Sequence, residues 1–206
     1  GNFQSASVIG KIVELVDAGA IILGDSTVTE TYEVTATASG DITDSGVLDI
    51  TGNATFTAAA GQQVILDSDN IFGGTVTFCS ASCSSPSGNL KNVTITDTTA
   101  LDLTALTLAQ VSSAGGDLIV TAGGALTDTG PLIIPGTTTI TATGQTVALN
   151  NTSNNFATIL FGSSSNAVTS VEVEDTNAII IGASKSSGNF TITAGGAVTD
   201  SGDVIV

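Results

Sequence analysis

Three short segments carry the residues best placed to do chemistry: TASGDITDSG at 37–46, TAGGALTDTG at 121–130 and TAGGAVTDSG at 193–202. Each joins small residues to a Thr-Asp-Ser/Thr-Gly tetrad, so Asp44, Asp128 and Asp200 recur in one local setting. A phosphate-cradling loop needs a helix N-terminus after its glycines and usually a lysine. Here the following segments are VLDI, PLII and DVIV, which read as strands, and no lysine is near. The pattern predicts corners instead. Gly123, Gly124, Gly195 and Gly196 are expected to take positive φ where the chain turns, with Gly46, Gly130 and Gly202 closing the corners. Asp128 and Asp200 are expected to fold back on local backbone N–H groups.

A calcium reading rests on LDSDN, where Asp67, Asp69 and Asn70 offer closely spaced oxygens. Calcium takes six to eight oxygen ligands with several carboxylates converging, and one Asp per corner cannot supply that. The nonapeptide of calcium β-rolls is also absent. Glu172 and Glu174 alternate on one strand face and could pair as acid and base. A solvated strand face explains them better, because Val16 fills the matching place in the first copy of that segment. With no His and no Arg in the chain, the common general bases and oxyanion clamps are missing. No enzyme, cofactor or metal is therefore expected. Cys79 and Cys83 cannot make a zinc site by themselves. A local disulfide stapling a protruding loop is the favoured reading, with free thiols or an intermolecular bridge as alternatives. The Asn-x-Ser/Thr triplets at Asn53, Asn92, Asn150, Asn151 and Asn189 arise easily in so Thr-rich a chain.

The surrounding chain must position these corners. Its 206 residues are 41% hydrophobic, with no Met or Trp, one Tyr and seven Phe, so Val, Ile, Leu and Ala must fill any interior. Nineteen acidic residues face only Lys11, Lys91 and Lys185, for a net charge of −16. That charge argues against nucleic-acid binding and against docking on anionic membranes. It suits a Thr-rich β-surface kept soluble and protected from edge-to-edge pairing. The chain opens on GNFQ, with no signal peptide or membrane-spanning run, and reads as a window cut from a longer or processed protein.

Self-comparison organises the rest. VEVEDTNAIIIG (171–182) matches VELVDAGAIILG (13–24) at an offset of 158, with VTITDTTALDLT (93–104) between them. The offset also pairs Phe3 with Phe161. GQQVILDSDNIFGGTVTF (61–78) resembles GQTVALNNTSNNFATILF (144–161). Corner to corner, the units run 84 residues (Asp44 to Asp128) and 72 residues (Asp128 to Asp200), the longer one holding the extra segment 79–91. The expected organisation is a single segment: 1–43 partial, 44–127 full, 128–199 full and 200–206 partial. Thr-x-Thr strands at 35–37, 55–57, 75–77 and 94–96, and strand centres near Ile119, Ile140, Leu160 and Ile180, step by about 20. Strict alternation in NFTITA (189–194) places Phe190, Ile192 and Ala194 on one face. The fold class expected is all-β, a right-handed parallel β-helix (solenoid) with coils of about 20 residues. A β-sandwich is the alternative.

Units such as GDLIVTAGGALTDTG and GNFTITAGGAVTDSG resemble the repeats of filamentous haemagglutinin-like, two-partner-secreted adhesins and related β-strand-repeat exoproteins. The resemblance covers the chain apart from 79–91, and it implies a β-helix shaft exported from a Gram-negative-type cell. The function expected is a structural segment of a secreted cell-surface protein, an adhesin shaft or extracellular fibre. Alternatives are a subunit of a self-assembling filament or surface layer and, remotely, an ice-binding solenoid built on the Thr ladder. Expected partners are neighbouring repeats or end-to-end copies of the chain, with a surface receptor or glycan beyond them, and neither nucleic acid nor an inserted membrane.

Overall fold

Frequent Gly, Asp and Asn between short β-branched runs allow strands of only a few residues before each bend. In the computed structural model, which describes residues 5–80, 90–110, 114–162 and 165–206, those strands wind into a parallel β-solenoid. Every pairing between described strands is parallel and joins one coil to the next. There are about 8 turns of roughly 22 residues each. One wall stacks Ile9–Asp17, Ser26–Ala36, Asn53–Ala58, Thr75–Ser80, Leu101–Leu103, Leu126–Asp128, Thr146–Leu149, Ser170–Asp175 and Phe190–Ala194. A second wall stacks Ile21–Leu23, Ile42–Asp44, Gln63–Phe72, Asn92–Asp97, Leu118–Ala122, Leu132–Thr141, Asn155–Phe161, Ile179–Ile181 and Val198–Asp200. Segment 9–23, ambiguous by composition, is two of these strands.

Alternation fills the interior with like on like. Tyr32 lies on Ala54 and Ala54 on Val76; Val34 lies on Phe56 and Phe56 on Phe78. The rings pack where they meet: Phe56 stacks on Phe78 at 5.8 Å and meets Tyr32 and Phe72 edge-on at 6.1 and 6.2 Å. Each buried aliphatic or aromatic side chain contributes about 1.5–3 kcal/mol, and its contacts come largely from the coils above and below. The end coils show this dependence. Phe190, Ile192 and Ala194 point inward yet remain only partly buried, because one neighbour is missing among the described residues.

Two expectations need correction. The coil is nearer 22 residues than 20, so Thr35 pairs with Thr57, not Thr55, and Thr57 is in turn followed by Cys79. Thr94 sits on the other wall between Ile65 and Ile119. The four-coil Thr ladder counted at steps of 20 is therefore not a stacked ladder. Likewise Ile119 pairs with Thr139, while Ile140 faces inward beside it. The wall step widens from 22 to 29 between Val64 and Val93, around the extra segment. The long repeat is also not a whole number of coils. Asp44 lies on the second wall and its equivalent Asp128 on the first, so the motif changes wall from one copy to the next.

Candidate functional site

The corners hold the most developed side-chain chemistry in the molecule. Parallel coils leave backbone N–H groups unpaired wherever a strand ends and the chain bends, and buried N–H groups must find acceptors. Asp44 reaches into the following coil, where Asp67 and Ser68 donate their N–H groups to its Oδ1 at 3.0 and 3.3 Å. The Asn70 Nδ2 amide donates to Asp44 Oδ2 at 2.7 Å, and Asn70 Oδ1 accepts the Leu48 N–H at 2.8 Å. The same cluster recurs in the next repeat. Asn150 N–H donates to Asp128 Oδ1 at 3.0 Å, Asn154 Nδ2 donates to Asp128 Oδ2 at 2.7 Å, and Leu132 N–H donates to Asn154 Oδ1 at 2.7 Å. In both clusters Asp and Asn are 26 residues apart, and both asparagines are fully buried. Asp128 thus caps the next coil; the expected fold-back on its own turn is corrected by this geometry.

A second carboxylate completes each stack one coil further on. Asp97 accepts the Thr99 N–H and hydroxyl on Oδ1, both at 2.8 Å, and the Phe72 N–H at 3.5 Å. Asp175 accepts the Asn177 N–H at 2.9 Å on Oδ1 and the Phe156 N–H at 2.6 Å on Oδ2. Asp17 makes the same local turn with the Gly19 N–H at 2.8 Å. The stacks Asp44–Asn70–Asp97 and Asp128–Asn154–Asp175 are therefore equivalent, with one difference: Asp97 Oδ2 is buried without a partner. Burial raises the carboxyl of Asp44 above its ordinary value, offset in part by the Asn70 amide and the Ser68 and Asp67 N–H groups. Burial likewise raises Asp128, against the Asn154 amide, and raises Asp97, against the Thr99 and Phe72 donors.

The glycines act through size. None of Gly46, Gly123, Gly124, Gly130, Gly195, Gly196 and Gly202 takes a positive φ, which corrects the expectation for them. A Cβ on Gly123 would meet the carbonyl oxygen of Thr98, and one on Gly195 that of Thr176. The Gly123 N–H bonds the Asp97 carbonyl at 2.8 Å and the Gly195 N–H that of Asp175 at 2.9 Å, so each glycine pair lies directly on an Asp turn below. Positive φ falls instead at Gly61 (78°) and Gly144 (70°), third residues of four-residue turns closed by Gln62 and Gln145 N–H groups.

Other carboxylates do similar capping outside. Asp25 accepts the Val47 N–H, Asp41 the Gln63 N–H and Asp117 the Thr137 N–H, at 2.8–2.9 Å across coils. Much of the chain's acidity is thus structural. The three calcium candidates do not converge: Asp67 and Asp69 are exposed, while Asn70 is turned inward and committed. Among the described residues no group of three His, Cys, Asp or Glu is placed to hold a metal ion. Asp200 lies exposed in the last coil, where no described residue donates to its carboxylate. Cys79 is disulfide-bonded, and Cys83 lies outside the described residues, as do Phe3 and most of 79–91. The inward asparagines escaped notice in the sequence. Their signal was there, in the equal Asp-to-Asn spacing of the two long repeats.

Three outcomes are expected in solution. Gly144 has open space around it, so Gly144→Asn keeps stability within about 1 kcal/mol, asparagine tolerating positive φ. Gly123→Asn loses about 2 kcal/mol or more by forcing the coils apart; urea unfolding that ranks the two the other way would refute the size argument. Asn154→Ala strands Asp128 Oδ2 and the Leu132 N–H and costs about 3 kcal/mol or more. Asp97 binds its proton more tightly folded than unfolded, so its contribution to stability is full below about pH 4 and declines as pH rises through the raised value. Asp97→Asn should therefore raise the melting temperature at pH 7 and leave it nearly unchanged at pH 3.5. Equal shifts at both pH values would count against a buried charge.

The comparisons agree with the repeat boundaries. A family described as repeats of unknown function (DUF5649) matches residues 10–78, 90–161 and 166–206, and its first gap coincides with the extra segment. No curated protein and no solved structure matched the chain. With most of its length accounted for in three blocks, the chain belongs to this family of repeats of unknown function.

Proposed function

We propose that the chain is a structural segment of a secreted, repetitive cell-surface protein, a stiff shaft or extracellular fibre. One observation carries this reading: the pairing continues coil on coil from Ile9–Asp17 to Phe190–Ala194, so core, corners and capping carboxylates repeat along a single axis. Such quasi-one-dimensional order resists bending, because each coil is held by backbone bonds, apolar stacks and polar corner stacks at once. The disulfide at Cys79 favours an oxidising exterior. The resemblance to two-partner-secreted adhesin repeats favours a shaft, with any receptor or glycan contact made elsewhere or by the lateral 79–91 segment. Incompletely buried apolar residues at both ends, Val13 and Leu15 at one and Phe190 and Ile192 at the other, favour the filament version.

About 8 coils at ~4.8 Å each make a rod on the order of 40 Å long. Negative-stain imaging with analytical ultracentrifugation separates the versions. Monomeric short rods are expected for a shaft segment, and end-to-end polymers for a filament subunit. Sheet-like or irregular aggregates with no common axis would overturn both.

A further inference from the structure

We infer that the open face above Val198–Asp200 is the seat of one further coil of the same repeat, whose inward asparagine caps Asp200. Asp44, Asp128 and Asp200 are equivalent residues of the three corners. The first two each receive an amide at 2.7 Å from an asparagine 26 residues later, and each is covered by the coil bearing it. The surroundings of Asp200 match in every other respect. Val198 stands where Ile42 and Leu126 do, and those are covered by Val64 and Val147. Val204 stands where Leu48 and Leu132 do, whose N–H groups donate to the two asparagines. Around Asp200 the structure leaves an open hollow of about 530 Å³, lined by Phe190, Ile192, Val198 and Val204 among others. Val198 is 50% exposed although its equivalents are completely buried.

The chemistry of the occupant follows from these matches. It is a parallel β-coil with a valine over Val198 and a carboxamide aimed at Asp200, supplied by a further unit of the repeat. A second copy of this chain fits less well. Its first coil carries Asp17, the match of Asp97 and Asp175, which in the stacks lie one coil beyond the asparagine. Direct end-to-end docking would bring Asp17 towards Asp200 with no amide between them, a like-charge contact that costs stability when buried.

This deepens the shaft reading and rests on it for the continuation of the axis. The test extends the full chain beyond Val206 with a copy of residues 135–161, which continues the repeat because Val206 stands where Ile134 does. Hydrogen exchange at the Val198 and Val204 amides should slow at least tenfold on extension. Replacing the copied asparagine by leucine should remove most of that gain, as should Asp200→Leu in the extended chain. Asp200→Leu in the 206-residue chain should leave exchange and melting unchanged. Equal protection with leucine would overturn the asparagine cap and leave the shaft intact. An extension giving no protection would count against both the inference and the shaft. A dimer of the unextended chain that protects the same amides would name a second copy as the occupant and overturn the inference.

Discussion

The structure depends on the fixed separation of stacked coils. Parallel strands lie about 4.8 Å apart, and in a solenoid that spacing must hold at the bends as well as along the walls. Strands satisfy it with backbone bonds, but corners cannot, because the chain there turns out of pairing register. Two devices let the corners keep the spacing. Glycine removes the Cβ that would otherwise strike the carbonyl of the coil below, as at Gly123 over Thr98. Asp and Asn side chains supply acceptors for the N–H groups that the turning chain leaves unpaired, as at Asp44 and Asn70.

The second device has a cost. A carboxylate inside an apolar tube loses hydration, and Asp44, Asp97 and Asp128 all show raised affinity for their protons as a result. The asparagine between the carboxylates moderates this. Its amide donates to one Asp and its carbonyl accepts a backbone N–H, so one side chain satisfies three coils' worth of polar geometry. A second carboxylate in its place would set like charges in contact. Because each cap acts on the neighbouring coil, order is passed along the axis, which is what a shaft or fibre requires.

Much of this was legible in the chain. The 158-residue match between VELVDAGAIILG and VEVEDTNAIIIG reveals strands, because strict alternation into a β-branched run suits nothing else. The parallel solenoid follows from repeats too short to fold alone. The coil length was misjudged by two residues, and the reason is physical. Thr-x-Thr recurs on outward positions where any two neighbouring threonines serve equally well, so its spacing of 20 measured composition, while the inward Val34–Phe56–Phe78 stack keeps the true step. The glycines were placed correctly and explained wrongly, since sequence cannot tell a dihedral requirement from a close approach.

By itself the sequence determined that this protein is a repeated, acidic, β-branched chain whose inward and outward faces alternate, and therefore a solenoid. Those properties are local: period, propensity and turn chemistry act within a coil. The tertiary structure alone decided which residues meet across coils. Only the stack brings Asp128 to Asn154 and Gly195 onto Thr176, and only the register, which is not commensurate with the long repeat, moves each corner to a new wall. Contacts between residues 20 or more positions apart depend on the exact number of residues in every intervening turn, and no local signal carries that count.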